Sequence, residues 1–441
     1  MNDNDRSILS ITMLGHGMVH MYELAIPIFL TVWIVDLGVG SATLGIAVAV
    51  GYALYGVGAV PGGVATDAYG SKRLLVVCLL GMGSAFVLLA LIDGLVGVTI
   101  ALAVWGLAAS TYHPAGLRLI STGITERGVG FGYHGIAGNV GIALGPLIAA
   151  TLLIAFDWRI VAGIIGVPAF AAAAYTAYVS VDELAAVDHG RSDPTTTDGG
   201  RDETTDGGRD ETNDGGRDAP TGRKRDATAD GQPSFRGVLT DTRVIFTGGF
   251  LIAFPMLILE GFFYRGVLTF LPDVLASYES LTPVTVAGAH VEPAGYVFAG
   301  LLIVGMAGQY VGGRVSDAMP PEKAVIGAFL ALAGISVLFV PAASSGLVPL
   351  LLVSGLLGFV LFGEQPLLQA VVADYSASDV RGLSYGYMFL GVFGIGALGA
   401  AFSGAVLAYA TQQTLFLLLA VVPLVAALIA AGLRRSSYAT D

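Results

Sequence analysis

An all-α membrane protein of twelve transmembrane helices, arranged as two pseudo-symmetric six-helix bundles, is the fold class the sequence predicts. Three observations carry it. The 441-residue chain is 55% hydrophobic and only 12% charged, with a mean hydropathy of +0.76, far from the roughly 25% charge of a soluble domain. Apolar runs of about 20 residues, the length that crosses a hydrocarbon core of about 30 Å, recur six times in each half. The halves also repeat one another. Gly62-Gly63-Val64-Ala65-Thr66-Asp67-Ala68 returns 250 positions later as Gly312-Gly313-Arg314-Val315-Ser316-Asp317-Ala318. Arg127-Gly128 with Gly132-Tyr133 returns 254 positions later as Arg381-Gly382 with Gly386-Tyr387. Parallel repeats in so apolar a chain suit a carrier, whose central site is exposed to each side in turn by rocking one bundle on the other.

The first six spans are expected at 8–34, 42–63, 73–92, 95–118, 128–155 and 159–181, and the second six at 243–272, 294–314, 323–342, 346–373, 382–409 and 413–433. The start, Met1-Asn2-Asp3-Asn4-Asp5-Arg6, lacks the basic n-region of a signal peptide, so span 1 is expected to stay. Lys and Arg mark cytoplasmic loops. With both termini in the cytoplasm of a plasma-membrane protein, Arg6, Lys72, Arg73, Arg118, Arg127, Arg314, Lys323, Arg381, Arg434 and Arg435 fall on cytoplasmic ends, and only Arg159 and Arg265 break the pattern. The single cysteine, Cys78, rules out an internal disulfide framework and gives no metal cluster.

Three units follow: a bundle over 1–182, a linker over 183–238 and a second bundle over 239–441. The linker holds three copies of Asp-Gly-Gly-Arg-Asp, beginning at Asp198, Asp206 and Asp214. With almost nothing apolar, it is expected to be a disordered cytoplasmic tether. Much of the net charge of -12 lies there, and the chain has only three lysines. An Asp-rich composition of this kind suits a salt-adapted, halophilic cytoplasm.

At the end of span 2, Gly63-x3-Asp67-x2-Gly70-x-Lys72-Arg73 combines close-packing glycines, a carboxylate and a basic pair at headgroup depth. This resembles the loop 2-3 signature of the major facilitator superfamily, with a degenerate copy at Gly313 and Asp317. In that family the motif serves conformational switching, and Arg118, Arg127, Asp374 and Arg381 are expected to share the cytoplasmic gate. Span 5 carries Gly135-x2-Gly138-Asn139-x-Gly141-x3-Gly145-Pro146, a small-residue packing stripe with a helix-distorting proline. It is similar to the motif of the superfamily's drug:proton antiporters, which implies efflux.

Three further stretches resemble the fosmidomycin-resistance branch: Gly15-His16-x5-Tyr22-x4-Pro27, Tyr112-His113-Pro114-x-Gly116-x-Arg118, and Arg265-x3-Thr269-Phe270-Leu271-Pro272. One departure stands out. His20 occupies a position where that branch commonly has a carboxylate or amide, so the namesake's substrate does not carry over.

Ionisable groups at membrane depth cost about 2.5 to 3.5 kcal/mol each on insertion, so those that are kept are functional candidates. His16, His20 and Glu23 share one face of span 1 and fit a proton relay, because His titrates near neutrality. Polar contacts among spans 1, 5 and 7 would also explain them. A metal set of His16, His20 and Glu23 is a third reading, but zinc wants further ligands and no metal is expected. His113 is placed at the cavity or in a helix contact, and His134 nearer the cytoplasmic end. Glu260 and Arg265 lie five residues apart, so they do not share a helical face. Arg265 would bind an anionic cargo or lock onto an acid. In span 10, Glu364 and Gln365 precede Pro366 and are expected to line the cavity.

The sequence therefore predicts a monomeric secondary transporter without a cofactor, an enzymatic centre or a nucleic-acid partner. Its partners are a small-molecule substrate, a coupling ion (H+ or Na+) and the lipid bilayer. Proton-coupled efflux by alternating access is the preferred mode. Proton- or sodium-coupled uptake of a small organic anion is the alternative. A membrane sensor or scaffold acting through the acidic loop is a reading of another class, and deletion of 190–230 separates it from a transporter.

Overall fold

The computed structural model describes residues 1–186, 240, 242–246, 249–286, 289–375 and 381–438. Most of the expected linker lies outside this set, as do the side chains of Arg127, Asp317 and Arg381.

Among the described residues, twelve spans are present when each broken helix is taken as one crossing. In the first half they are Asp3–Asp36, Ser41–Val57 with Ala59–Tyr69, Ser71–Leu91, Gly94–Ala109 with Tyr112–Gly123, Arg127–Leu152 and Trp158–Tyr178. In the second half they are Phe250–Leu268 with Leu271–Ala276, Pro293–Ala318, Pro321–Ser344, Leu347–Asp374, Arg381–Tyr409 through a π-helical turn, and Gln412–Tyr438.

Span 1 starts five residues earlier than hydropathy suggests because its first turn is polar and capped. The Asn2 side chain accepts from the Asp5 N–H at 2.7 Å, and Asp3 and Asp5 sit where the helix dipole favours acids. Breaks follow glycine and proline. Span 2 bends by 42° at Gly58. Spans 4 and 7 break just ahead of Pro114 and Pro272, which have no N–H to donate to the preceding turn. Span 11 carries a π-turn over Leu390–Ile395. A short antiparallel hairpin, Val284–Val286 with Ala289–Val291, lies between spans 7 and 8 and was not legible in the hydropathy pattern.

The duplication is visible in the packing. Span 1 lies on span 5, span 2 on span 4 and span 3 on span 6. The second half repeats this, with span 7 on 11, 8 on 10 and 9 on 12. Each repeated Gly-Gly pair uses its first member for the close approach. A Cβ on Gly62 would press on Thr111 of span 4, and one on Gly312 would strike the Gly363 carbonyl of span 10. Gly63 has only an ordinary contact with Pro114 and Gly313 nothing within 4 Å, so the packing expected of them belongs to their neighbours.

Contacts between the halves concentrate at the end away from the chain termini. There a Cβ on Gly45 would strike the Ala400 carbonyl and one on Gly404 the Ser41 carbonyl, while at mid-span one on Gly56 would strike the Gly394 backbone. Ser41 Oγ donates to the Gly404 carbonyl at 3.0 Å, and Thr151 and Tyr296 join hydroxyls at 3.3 Å. The same end carries Arg159, one of the two exceptions to the basic-residue pattern. Its guanidinium pairs with Asp36 at 3.1 Å and Asp93 at 2.9 Å and stacks on Trp158. Trp158 Nε1 also donates to Asp36 at 2.8 Å. The exception is thus neutralised on the rim.

Candidate functional site

Helical spacing stacks His16, His20 and Glu23 one turn above another on the buried face of span 1, and the structure links them in series. His16 Nδ1 donates to the His134 carbonyl at 2.7 Å. His16 Nε2 faces His20 Nε2 at 3.1 Å, and His20 Nδ1 donates to Glu23 Oε2 at 2.7 Å. The other Glu23 oxygen accepts from Arg265 Nη2 of span 7. Both charged groups are almost fully buried, at 1% and 2% exposure. The second exception to the basic-residue pattern is therefore one half of an intramembrane ion pair, as buried charges require.

Packing explains why this chain of groups has one geometry. A Cβ on Gly138 of span 5 would collide with the His16 ring, and ones on Gly141 and Gly145 would strike the Gly17 and Met21 carbonyls. The glycine stripe thus brings span 5 onto span 1 and leaves space for an imidazole. Pro146 lies inside span 5, directly after the last of these glycines. Asn139 is half-buried beside them. Among the described residues it forms no hydrogen bond with the histidines.

His134, expected nearer the cytoplasmic end and lying in the first third of span 5, makes contacts that the sequence did not show. Its ring stacks on His16 with centroids 3.8 Å apart, and its Nε2 lies 3.0 Å from the Tyr112 hydroxyl. It belongs to the cluster. His113 belongs to it too, with its ring 5.4 Å from that of His16 and 5.8 Å from that of His20. On its other side it stacks on Phe389 of span 11 at 4.8 Å.

Arg265 lies over the Tyr52 ring at 3.8 Å and near the rings of Tyr264 and Phe393, both at 5.2 Å. Aromatic faces hold a desolvated guanidinium by cation–π attraction. Sequence reasoning missed these rings, since a lone aromatic in an apolar helix reads as packing. The π-turn of span 11, which carries Phe393 toward the arginine, contains Gly391 and Gly394. As expected from their angular offset, Glu260 does not share a partner with Arg265 in the hydrogen-bond network. Glu260 accepts from Gln365 Nε2 of span 10, while Glu260 Oε2 and Glu364 Oε2 are buried with no hydrogen-bond partner among the described residues. Both glutamates are buried.

Of the residues expected at the gate, Asp67, Gly70, Lys72 and Arg118 form a second, separate set at the terminal end. Arg118 pairs with Asp67 at 3.0 Å and with Glu183 at 3.5 Å. Glu183, missed in the sequence, accepts the N–H groups of Ser71 and Lys72 at 2.8 and 2.9 Å. It thereby caps span 3. Gly70 makes the turn with φ +89°, a conformation that favours glycine. Lys72 Nζ donates to the Ala177 carbonyl at 3.0 Å, whereas Arg73 and Asp374 are exposed. Among the described residues, the side-chain partners of Arg118 are Asp67, Ser71 and Glu183.

Comparison with known proteins gives a consistent answer. The sequence profile described as Major Facilitator Superfamily matches residues 11–363 and, again, 254–441. Over 101 residues the chain is 37% identical to puromycin resistance protein pur8 of Streptomyces alboniger. That stretch is 22% of this chain and only 20% of the relative, so the chain covers a fifth of that protein. A bacterial homologue of the human lysosomal transporter Spinster, solved inward-facing and unoccupied, superposes with a TM-score of 0.71 at 14% identity, covering 99% of this chain and 98% of that one. The nucleoside transporter NupG, as a mutant, gives 0.70 at 12% identity over 98% and 100%. The peptide transporter POT with sulfate gives 0.67 at 14% over 97% and 94%. At these identities the structural likeness is one of fold, and the profile match carries the relationship. The chain is a membrane transporter rather than an enzyme, and it belongs to the Major Facilitator Superfamily.

Proposed function

We propose that the chain exports a small organic molecule in exchange for protons, by alternating access, with both termini in the cytoplasm and the 183–238 segment tethering bundles over 1–182 and 239–441. The observation that carries proton coupling is the Glu260 and Glu364 pair. Both carboxyls are buried, each with an Oε2 that has no hydrogen-bond partner, so a negative charge there is costly and a bound proton relieves it. That pair lies on spans 7 and 10, and span 7 also supplies Arg265 to the ion pair with span 1. Loss of a proton from Glu260 would place a new negative charge on the span that holds the arginine. The expected consequence is a competition with Glu23 that loosens the two halves from one another. The efflux direction is supported by the glycine and proline stripe of span 5 and by the partial similarity to a puromycin resistance protein.

Uptake of a small organic anion is the second reading. It is favoured by Arg265 Nε, a buried donor that has no hydrogen-bond partner. Proteoliposomes separate the two. Under exchange, vesicles with an acidic lumen accumulate labelled cargo, screened from puromycin, phosphonates, organic acids and hydrophobic cations. Under cotransport, accumulation requires an acidic exterior. Glu260→Gln is expected to abolish the response to the imposed pH difference. If that variant still follows the gradient at the wild-type rate, the carboxyl pair is not the coupling group.

A further inference from the structure

We propose that His16, His20 and His113 hold one divalent transition-metal ion of the zinc, cobalt or nickel class. One ring nitrogen from each lies within 4.8 Å of the others. Proximity alone would be weak, since histidines also cluster by stacking. The hydrogen bonds behind the rings make the case.

His16 Nδ1 faces a backbone carbonyl, which can only accept, so that nitrogen carries the proton. His20 Nδ1 faces Glu23, whose carboxylate is paired with Arg265, so it too donates. Both Nε2 atoms are then left with bare lone pairs, and these face each other at 3.1 Å. Two acceptors do not approach so closely without a cation between them. Metal-bound histidines almost always donate their other N–H to a carboxylate or a carbonyl, which is the arrangement here on both rings. Ligand nitrogens about 2.0 to 2.1 Å from a tetrahedral zinc stand about 3.3 to 3.4 Å apart. The pair therefore needs to open by only a few tenths of an ångström, about the tolerance allowed for ligand distances.

His113 supplies the independent observation. Its Nε2 is buried and has no hydrogen-bond partner, which is costly for a polar atom unless something binds it. His20 keeps 14% side-chain exposure, which gives an ion a way in. All three ligands sit on spans 1 and 4, so the ion would travel with the first half. Three protein nitrogens leave a fourth position for water or for a donor atom of the cargo. A proton shared between His16 and His20 is the competing cation, and it predicts no metal affinity.

The test uses the full chain in detergent, stripped with chelator and titrated with Co2+ at neutral pH, with visible absorption and elemental analysis as readouts. One Co2+ per chain is expected, with tetrahedral ligand-field bands that Zn2+ abolishes. His113→Ala is expected to weaken binding by more than about 100-fold, and Glu23→Gln, behind the His20 ring, by about 10- to 100-fold. His113→Cys, which restores a ligand, is expected to recover binding and add a thiolate charge-transfer band, so that a folding defect in the alanine variant is recognised. Absence of stoichiometric Co2+ in the wild type, or equal affinity in wild type and His113→Ala, overturns the proposal. The readout is binding, so its failure leaves the proton-exchange reading standing.

Discussion

Arg265 of the second half pairs with Glu23 of the first, burying one positive and one negative charge against each other in the middle of the membrane. The pair is held by more than attraction, because the guanidinium also lies on the Tyr52 ring and Glu23 is tied to His20.

Removing one partner is expected to be worse than removing both. Glu23→Gln leaves a buried guanidinium uncompensated, at a cost of about 3 to 5 kcal/mol, whereas replacing both members of a buried pair by uncharged groups is often near neutral. Thermal unfolding followed by tryptophan fluorescence should show Glu23→Gln strongly destabilised and Glu23→Gln with Arg265→Met restored toward wild type. Transport should be lost in both. A double variant no more stable than the single one would show that the pair is not what links the halves.

Glycines on one helix are expected to behave very differently. Gly141→Ala places a methyl on the Gly17 carbonyl, and overpacking of this kind costs about 1 to 3 kcal/mol. Gly135→Ala meets nothing within 4 Å and gains helix propensity of up to about 1 kcal/mol. Melting curves for the two variants should therefore move in opposite directions. Equal shifts would mean that the close approach of spans 1 and 5 is not what the stripe provides.

At the terminal end, Glu183 should matter more for stability than Asp67. Glu183→Ala uncaps span 3 and is expected to cost about 0.5 to 2 kcal/mol. Asp67 is half-exposed beside Arg118, and Asp67→Asn should cost less than about 1 kcal/mol, shrinking further in high salt. Flux should respond the other way, with Asp67→Asn slowed well beyond its stability cost. A stability-matched flux in Asp67→Asn would remove its switching role.

The spans were legible because a bilayer demands long apolar helices, and the duplication was legible because the Gly-Gly and Arg-Gly marks repeat at one spacing. His16, His20 and Glu23 could be placed together because helical periodicity alone puts them on one face. What joined them was not legible. That Arg265 reaches Glu23, or that His134 turns its carbonyl to His16, depends on which spans touch, and hydropathy does not encode that. Glu183 escaped notice because it follows the last apolar residues of span 6, where composition gives no hint that it folds back onto span 3. The roles assigned to Gly63 and Gly313 passed to Gly62 and Gly312 for a similar reason. A repeated pair fixes the register only to within one residue, and packing decides which member faces the neighbour.

Where spans 2 and 11 meet, the touching surfaces are Gly45, Gly56, Gly394 and Gly404, with bare peptide against bare peptide. Apart from the Tyr55–Phe393 ring contact at 4.9 Å and the Ser41–Gly404 hydrogen bond, such a junction has few interlocking knobs, so it can part and re-form with little side-chain rearrangement. Repeated cycling is then limited by how far the two ribbons separate and not by slow rearrangement of a jigsaw. The same smoothness makes the junction intolerant, since a single added methyl would act as a permanent wedge.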